Sequence, residues 1–183
     1  MNSMLRLLLC KVRARKNRIL FLIDLDNLSL NVNPTITNLG DALDKVVEKI
    51  SQTGRVVKIC AFASEQSLTS SVDILRSRGV ILVQCPKIII DKTGARVEKQ
   101  DTVDPELIRV GTIDINEMTN LTHLAIGSGD QDFEGFVRWA KAQSLGIIVV
   151  AGDRRSLSHK ISDLASFDSS GKKMVYLLSQ GER

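Results

Sequence analysis

The sequence has few of the residues that bind metals through sulfur or imidazole. It contains three cysteines, none in a Cys-x-x-Cys spacing, and two histidines among 183 residues. This indicates neither a disulfide framework nor a zinc site. Aromatic residues make up only 4% of the chain, and Phe133 and Phe136, at helical spacing, are expected in the core rather than as stacking platforms for bases. The apolar runs are far shorter than the ~18 residues of a membrane span, so we expect a soluble protein with no membrane partner.

Positive charge is concentrated at the start of the chain. Six of the 25 lysines and arginines fall in residues 1–18, which contain no acid. The rest of the chain contains the other 19 basic residues and all 21 acidic residues. The folded body would therefore bind a nucleic acid through local patches and bound cations. We predict a basic arm or leader, residues 1–18, and one folded domain, residues 19–183.

Three interpretations of this arm stay open: an organelle-targeting peptide, a nucleic-acid-binding arm, or an upstream start before Met4. Without targeting, we expect a cytoplasmic protein. The sequence does not indicate its oligomeric state.

From Ile19 onward, short apolar runs alternate with segments of helical periodicity. This alternation predicts a doubly wound, three-layer α/β/α domain around a mainly parallel sheet. One predicted helix is lined by Leu68, Val72 and Leu75, and residues 86–99 predict a hairpin or flap. The predicted strands are Ile19–Asp24, Val56–Phe62, Val80–Cys85, His123–Ser128, Ile147–Gly152 and a last one, Met174–Ser179.

Acidic residues follow the strands at the sheet edge where such folds bind ligands. Asp24 closes the first predicted strand, and Asp130 and Asp132 follow the fourth. Asp104 is expected to cap the helix that leads into the fourth strand, with Pro105 in the first turn of that helix. Ligands bind beyond the carboxyl ends of parallel strands, where the strand order reverses, so neighbouring first and fourth strands would bring these acids into one crevice. Each acid, taken alone, is explained equally well as a helix cap. The placement of acids from three separate segments at one edge of the sheet favours a ligand site.

Carboxylates without histidine or cysteine suit Mg²⁺ or Mn²⁺ rather than zinc. Such an ion activates water and neutralises a phosphate under attack. The predicted chemistry is therefore metal-dependent hydrolysis of a phosphate ester.

Three segments resemble the NYN family, a branch of the PIN-like nucleases that includes the LabA-like proteins. FLIDLDNLSL is similar to the family's first motif, an apolar strand that ends in Asp and is shortly followed by Asn. KQDTVDPELI is similar to its central Lys…Val-Asp motif, and LAIGSGDQDF, with the helix and strand that follow, to its Ser-Gly-Asp-x-Asp-Phe block. The resemblance runs from about Ile19 to Tyr176. It implies a metal-dependent ribonuclease with a sheet ordered 3-2-1-4-5.

Position by position, the resemblance places the family's catalytic, metal-binding acids on Asp24, Asp104, Asp130 and Asp132. It implies that Asn27 orients the substrate or a metal-bound water, and that the Ser128 hydroxyl steadies the loop after the fourth strand.

Basic residues near this edge are candidate phosphate contacts. Arg96 and Lys99, with Lys87 and Lys92, make the predicted hairpin a candidate phosphate-binding flap, although acids in the same segment dilute its charge. A second basic group follows the fifth strand and either touches phosphate or stays in solvent: Arg154, Arg155 and Lys160.

The sequence departs from the family pattern in three places. Leu25 and Asp26 stand between Asp and Asn, where the family has small residues. Asp101 is an alternative to Asp104, which we prefer because Val103-Asp104 keeps the family's register. Gly111 occupies the place of a further acid on the central helix and Asp114 lies beyond it, so one metal site would be weaker or lost.

Two other functions stay open. The chain could be a non-catalytic RNA-binding or regulatory module that kept the fold. It could also be a HAD-like phosphatase, because DLDNL resembles the Asp-x-Asp motif in which Asp24 would attack phosphate and Asp26 act as acid and base. That family has Thr or Val in place of Leu28 and a lysine after a middle strand, for which Lys87 is only a loose candidate.

Overall fold

The computed structural model describes residues 17–29, 36–69, 71–86, 88–92, 96–100 and 102–178. Its strands are β1 (Asn17–Asp24), β2 (Gly54–Ala63), β3 (Ile81–Gln84), β4 (Ile88–Lys92), β5 (Arg96–Gln100), β6 (His123–Gly127), β7 (Gly146–Ala151) and β8 (Val175–Leu177). Six of them form one sheet in the order β3-β2-β1-β6-β7-β8, with every neighbouring pair parallel. The predicted order of strands, with the first and fourth predicted strands side by side, is confirmed.

Helices cover both faces of this sheet. They are α1 (Leu25–Ser29), α2 (Ile36–Thr53), α3 (Glu65–Thr69), α4 (Val72–Arg76), α5 (Val103–Glu117), α6 (Glu134–Ala142) and α7 (His159–Leu164), with a 3₁₀ turn at Gln131–Phe133. Alternate residues of β1 point to opposite faces. Leu22 packs in one core with Leu107 of α5, and Phe21 packs in the other with Val46 of α2. The result is the predicted three-layer arrangement.

The ends of β1 and β6 fall at the same level. Ile23 pairs with Gly127, so Asp24 and Ser128 follow side by side where the two strands stop. Because the order of strands reverses here, with β2 on one side and β7 on the other, this edge is the expected position for a ligand site.

Several predicted boundaries differ from the structure. The single helix predicted through Leu68 and Leu75 is two short helices, α3 and α4, because Ser71 begins a new helix as its N-cap residue. Serine hydroxyls bond to nearby backbone groups and compete with helix continuation; here Ser71 Oγ donates to the carbonyl oxygen of Ser67 at 3.3 Å.

Two further boundaries moved by one or two residues. Thr102, not Asp104, is the N-cap residue of α5, which leaves Asp104 and Pro105 inside the first turn. Strand β1 begins at Asn17 rather than Ile19, because Asn17 and Arg18 already pair with Gly54 and Arg55 of β2.

The predicted hairpin is present as the antiparallel pair β4–β5, in which Lys92 pairs with Arg96. Residues 93–95 at its turn and residues 1–16 of the basic arm lie outside the described residues. Over the part of the chain that the structure describes, no helix combines the length and the hydropathy needed to cross a membrane.

Candidate metal centre

Three carboxylates converge at the carboxyl edge of the sheet. Asp104, Asp130 and Asp132 each present an oxygen, and these oxygens lie within 4.8 Å of one another. Asp104 comes from the first turn of α5, and the other two come from the loop after β6. Asp130 is the N-cap residue of the 3₁₀ turn, where its Oδ1 accepts a hydrogen bond from Asp132 N–H at 3.0 Å. This local bond fixes the Asp130 carboxylate at the start of the turn that carries Asp132.

Asp24 lies beside this group and is joined to it through Ser128. The buried Ser128 hydroxyl donates to Asp24 Oδ2 at 3.2 Å and accepts from Asp130 N–H at 3.2 Å. Asn27 N–H donates to Asp24 Oδ1 at 3.1 Å, as at the start of a short helix. Asp24 is only 4% exposed, and both of its oxygens are used in these contacts.

The surroundings of Asp24 favour its neutral form when no cation is bound. The pKa of Asp24 is raised to about 7, mainly by burial and also by the negative charges of Asp104 and Asp26, against hydrogen bonds from Asn27 and Ser128 that lower it. Such a site favours either a proton or a cation.

The donor set fits a hard divalent ion. All of the ligand atoms in the group are carboxylate oxygens, which Mg²⁺ and Mn²⁺ prefer. With a metal–oxygen distance of ~2.1 Å, oxygens on opposite sides of one ion stand ~4.2 Å apart. The separations in this group therefore require only small side-chain adjustments to enclose a single ion.

Helix α5 offers no further acid to this site. Asp114 is ten residues beyond Asp104, ~15 Å along a helix, and it binds Lys58 Nζ at 2.7 Å. A Cβ atom at Gly111 would lie 2.6 Å from Leu22 Cδ1 and 2.7 Å from Phe136 Cζ. A side chain at position 111 would therefore require Leu22 and Phe136 to shift.

Asp26, whose role the sequence left open, has a contact of its own. Its Oδ2 accepts a hydrogen bond from Ser64 N–H at 3.2 Å, which ties α1 to the end of β2. This contact with the backbone after β2 gives no support to the acid and base role of a phosphatase. Asp101 and the side chains of Arg96 and Lys99 lie outside the described residues.

A polar cleft of about 420 Å³ lies beside Asp130, which is the member of the acidic group that lines it. Asn27, residues 129–131 and residues 155–158 line it. The sequence placed Arg155 near this edge but did not predict that residues 156–158 form a wall of the cleft. The available signal was the Asp-x-x-Ser spacing of Asp153 and Ser156, which is typical of a hydrogen-bonded turn.

Fold and site together define a small doubly wound α/β domain with carboxylates at the carboxyl edge of its sheet. The NYN domain family model matches residues 18–167. The chain therefore belongs to the NYN domain family, which indicates a PIN-like nuclease fold.

The comparison with solved structures agrees with this fold. A protein of unknown function from Vibrio parahaemolyticus superimposes with a TM-score of 0.63 at 18% identity, over 90% of this chain and 93% of that one. At this identity the likeness shows the fold alone. MurG of Acinetobacter baumannii superimposes with a TM-score of 0.42 at 13% identity, over 90% of this chain and 47% of that one. This likeness is too weak to support a conclusion about this chain. No curated protein matches the sequence significantly.

Proposed function

We propose that this NYN domain is a ribonuclease that hydrolyses RNA phosphodiester bonds with Mg²⁺ or Mn²⁺. The observation that carries the proposal is the convergence of Asp104, Asp130 and Asp132 within 4.8 Å at the edge where the strand order reverses. Membership of a family of nucleases supplies the substrate class. A cytoplasmic location is part of the proposal, and microscopy of the tagged full chain tests it.

Asp104, Asp130 and Asp132 would hold the ion, with Asp24 beside them. A bound ion supplies an activated water and offsets the charge on the phosphate. The chain's own contribution is to hold the carboxylates in place: Ser128 fixes Asp24 and the Asp130 backbone with one hydroxyl. The hydrogen bond from Asp132 N–H orients the Asp130 carboxylate. Asn27 lines the adjoining cleft and would contact the substrate.

The test is cleavage of a 5′-fluorescein single-stranded RNA by the full chain in Mn²⁺, Mg²⁺ or EDTA. We expect cleavage with either ion, none in EDTA, and loss of cleavage in Asp104→Asn. Glu106→Gln is the matched control, because Glu106 is in the same first turn of α5 but is paired with Arg109 at 2.6 Å. This control should cleave like wild type.

Other outcomes would contradict the proposal. RNA bound without cleavage by the wild-type chain would indicate a regulatory module. Phosphate release from p-nitrophenyl phosphate without RNA cleavage would indicate a phosphatase. Equal activity in Asp104→Asn and wild type would place the chemistry elsewhere.

A further inference from the structure

The cleft beside the acids is built from two loops. One wall is residues 129–131, after β6, and the other is residues 155–158, after β7. Asp130 belongs to both the acidic group and the cleft. A nucleic acid strand that reaches the acids therefore also passes along the loop after β7.

Main-chain contacts hold the two walls together. Ser158 N–H donates to the carbonyl oxygen of Gly129 at 2.9 Å. A Cβ atom at Gly129 would overlap the carbonyl oxygen of Ser156, so only glycine allows this approach. Within the second wall, Asp153 Oδ1 accepts hydrogen bonds from Arg155 N–H and Ser156 N–H, both at 2.8 Å. The backbone of Arg155 is thus held in a defined turn while its side chain is exposed.

The three basic residues after β7 differ in their surroundings. Lys160 Nζ lies 3.7 Å from Glu134 Oε2, so its charge is partly offset. Arg154 is exposed and is not part of the cleft lining. Arg155 lines the cleft and, among the described residues, has no salt bridge within 4 Å, although its charge helps to lower the pKa of nearby Asp153. Arg155 is therefore the member of this group that is placed to meet a ligand in the cleft.

We propose that Arg155 binds the RNA phosphate next to the scissile one and so acts as a positioning residue; this inference rests on the proposed function. A guanidinium forms two parallel, charge-assisted hydrogen bonds to a phosphate. Its charge also offsets the repulsion between RNA and the acids that share the cleft.

The lining of the cleft indicates that the backbone of the strand is recognised rather than its bases. None of the described residues that line it is aromatic, whereas stacking of bases requires aromatic faces. The serine hydroxyls and the guanidinium suit phosphates and sugars, which carry no sequence information. The volume, about 420 Å³, is at the small end of ligand sites, which span ~300–1,000 Å³. We therefore infer a short stretch of single strand, bound with little dependence on base identity.

The test separates binding from cleavage. Fluorescence anisotropy with labelled 12-mers of oligouridylate and oligoadenylate compares Asp130→Asn with the Asp130→Asn/Arg155→Ala double variant, so no binding measurement depends on catalysis. Arg155→Ala should weaken binding by about 10-fold or more, as for a charge-assisted hydrogen bond. It should reduce the slope of log affinity against log salt by about 0.7, the value for one phosphate contact on a single strand. The two oligonucleotides should lose affinity equally.

In wild type, Arg155→Ala should raise KM more than it lowers kcat, and Arg155→Lys should recover part of the loss. Mn²⁺ affinity by calorimetry should not change. Arg154→Ala is the matched control and should resemble wild type.

The inference is overturned if Arg155→Ala leaves affinity and salt slope unchanged, if Arg154→Ala has the same effect, or if no RNA binds. It is also overturned if only one of the two oligonucleotides responds. If wild type does not cleave RNA but Arg155→Ala weakens binding as described, the proposed nuclease activity fails while the phosphate contact stands.

Discussion

Ser128 and Asp24 end neighbouring parallel strands and share a hydrogen bond of 3.2 Å between Oγ and Oδ2. The same hydroxyl accepts from Asp130 N–H, so one buried side chain links the carboxylate of the central strand to the loop that carries two other acids.

Replacement of Ser128 by alanine should therefore disturb both halves of the site. It leaves Asp24 and Asp130 N–H without this partner and should lower the free energy of unfolding by ~1–3 kcal/mol. It should also weaken Mn²⁺ binding, measured by calorimetry. Ser64→Ala is the control, because Ser64 is a buried serine after β2 whose hydroxyl contacts Ser67 instead. Equal Mn²⁺ affinity in Ser128→Ala and Ser64→Ala would show that Ser128 does not position the acids.

The raised pKa of Asp24 predicts that the free energy of unfolding of the metal-free protein falls as the pH rises. The folded-state pKa of about 7 exceeds the unfolded-state value near 3.8, so the folded state binds the proton more tightly. The stability contributed by protonated Asp24 is fully present below pH ~4 and is lost as the pH rises to and through 7. At ~1.4 kcal/mol for each unit of pKa, the loss is on the order of 4 kcal/mol.

The Asp24→Asn variant isolates this effect. In urea unfolding with EDTA, the stability of Asp24→Asn relative to wild type should rise between pH 4 and pH 8. Addition of Mn²⁺ should stabilise wild type more than the variant at pH 8, and at pH 6, where Asp24 still carries its proton, it should release protons from wild type. A difference between the two proteins that does not change with pH would contradict the assigned ionisation.

Replacement of Asp130 by asparagine should separate catalysis from stability. The new side chain keeps an oxygen that can accept from Asp132 N–H, and it removes one of several neighbouring negative charges. We expect RNA cleavage to be abolished and Mn²⁺ binding to weaken, while the melting temperature in EDTA stays equal or rises.

Asp168→Asn is the control for Asp130→Asn. Asp168 closes the turn between α7 and β8, and hydrogen bonds from Ser170, Lys172 and the Ser170 hydroxyl hold its pKa low. Its replacement should lower the melting temperature at neutral pH without changing cleavage. A fall in the melting temperature of Asp130→Asn with cleavage preserved would show that Asp130 is only a helix cap.

Two helical glycines provide a matched pair for the packing of α5. A Cβ atom at Gly135 in α6 would meet no described atom within 4 Å outside its own helix, so Gly135→Ala should stabilise by up to ~1 kcal/mol through helix propensity. Gly111→Ala gains the same propensity but meets Leu22 and Phe136 and should destabilise by ~1–3 kcal/mol. Chemical denaturation measures both, and a stabilised Gly111→Ala would show that α5 can move away from the sheet.

The basic arm should be dispensable for folding. Removal of residues 1–16 leaves β1 intact and should preserve the melting temperature and Mn²⁺ binding, while weakening RNA binding if the arm contacts phosphates. Removal of residues 1–18 also deletes the Arg18 N–H bond to Thr122 and the Asn17 amide bond to the carbonyl oxygen of Thr53, and should cost stability. Loss of folding in the shorter deletion would show that the arm is part of the domain.

The sheet could be predicted because strands buried on both faces are continuous apolar runs, such as residues 19–23 and 147–150. The helix break at Ser71 could not, because Leu68, Val72 and Leu75 keep helical spacing across it. Arg154 and Arg155 are equivalent in sequence. Only the contact of the two loops, in which Gly129 meets Ser156, makes one of them a cleft residue.

The contact made by Asp26 could not be predicted either, because its partner is distant in sequence. Its hydrogen bond joins it to Ser64, 38 residues later in the chain. Sequence spacing located the acids at the correct edge of the sheet, but it could not distinguish an acid that contacts the backbone after the neighbouring strand from one that faces the crevice.

The outermost strands of the described sheet, β3 and β8, are also its shortest, with four and three residues. An edge strand carries backbone groups that another chain can pair with, and a short edge offers few of them. The eight residues of β1 lie between β2 and β6, whereas β2 pairs with β3 only over Cys60–Ala63. The apolar strand β1 is therefore shielded by its neighbours, and it becomes exposed to other copies only when the sheet itself opens.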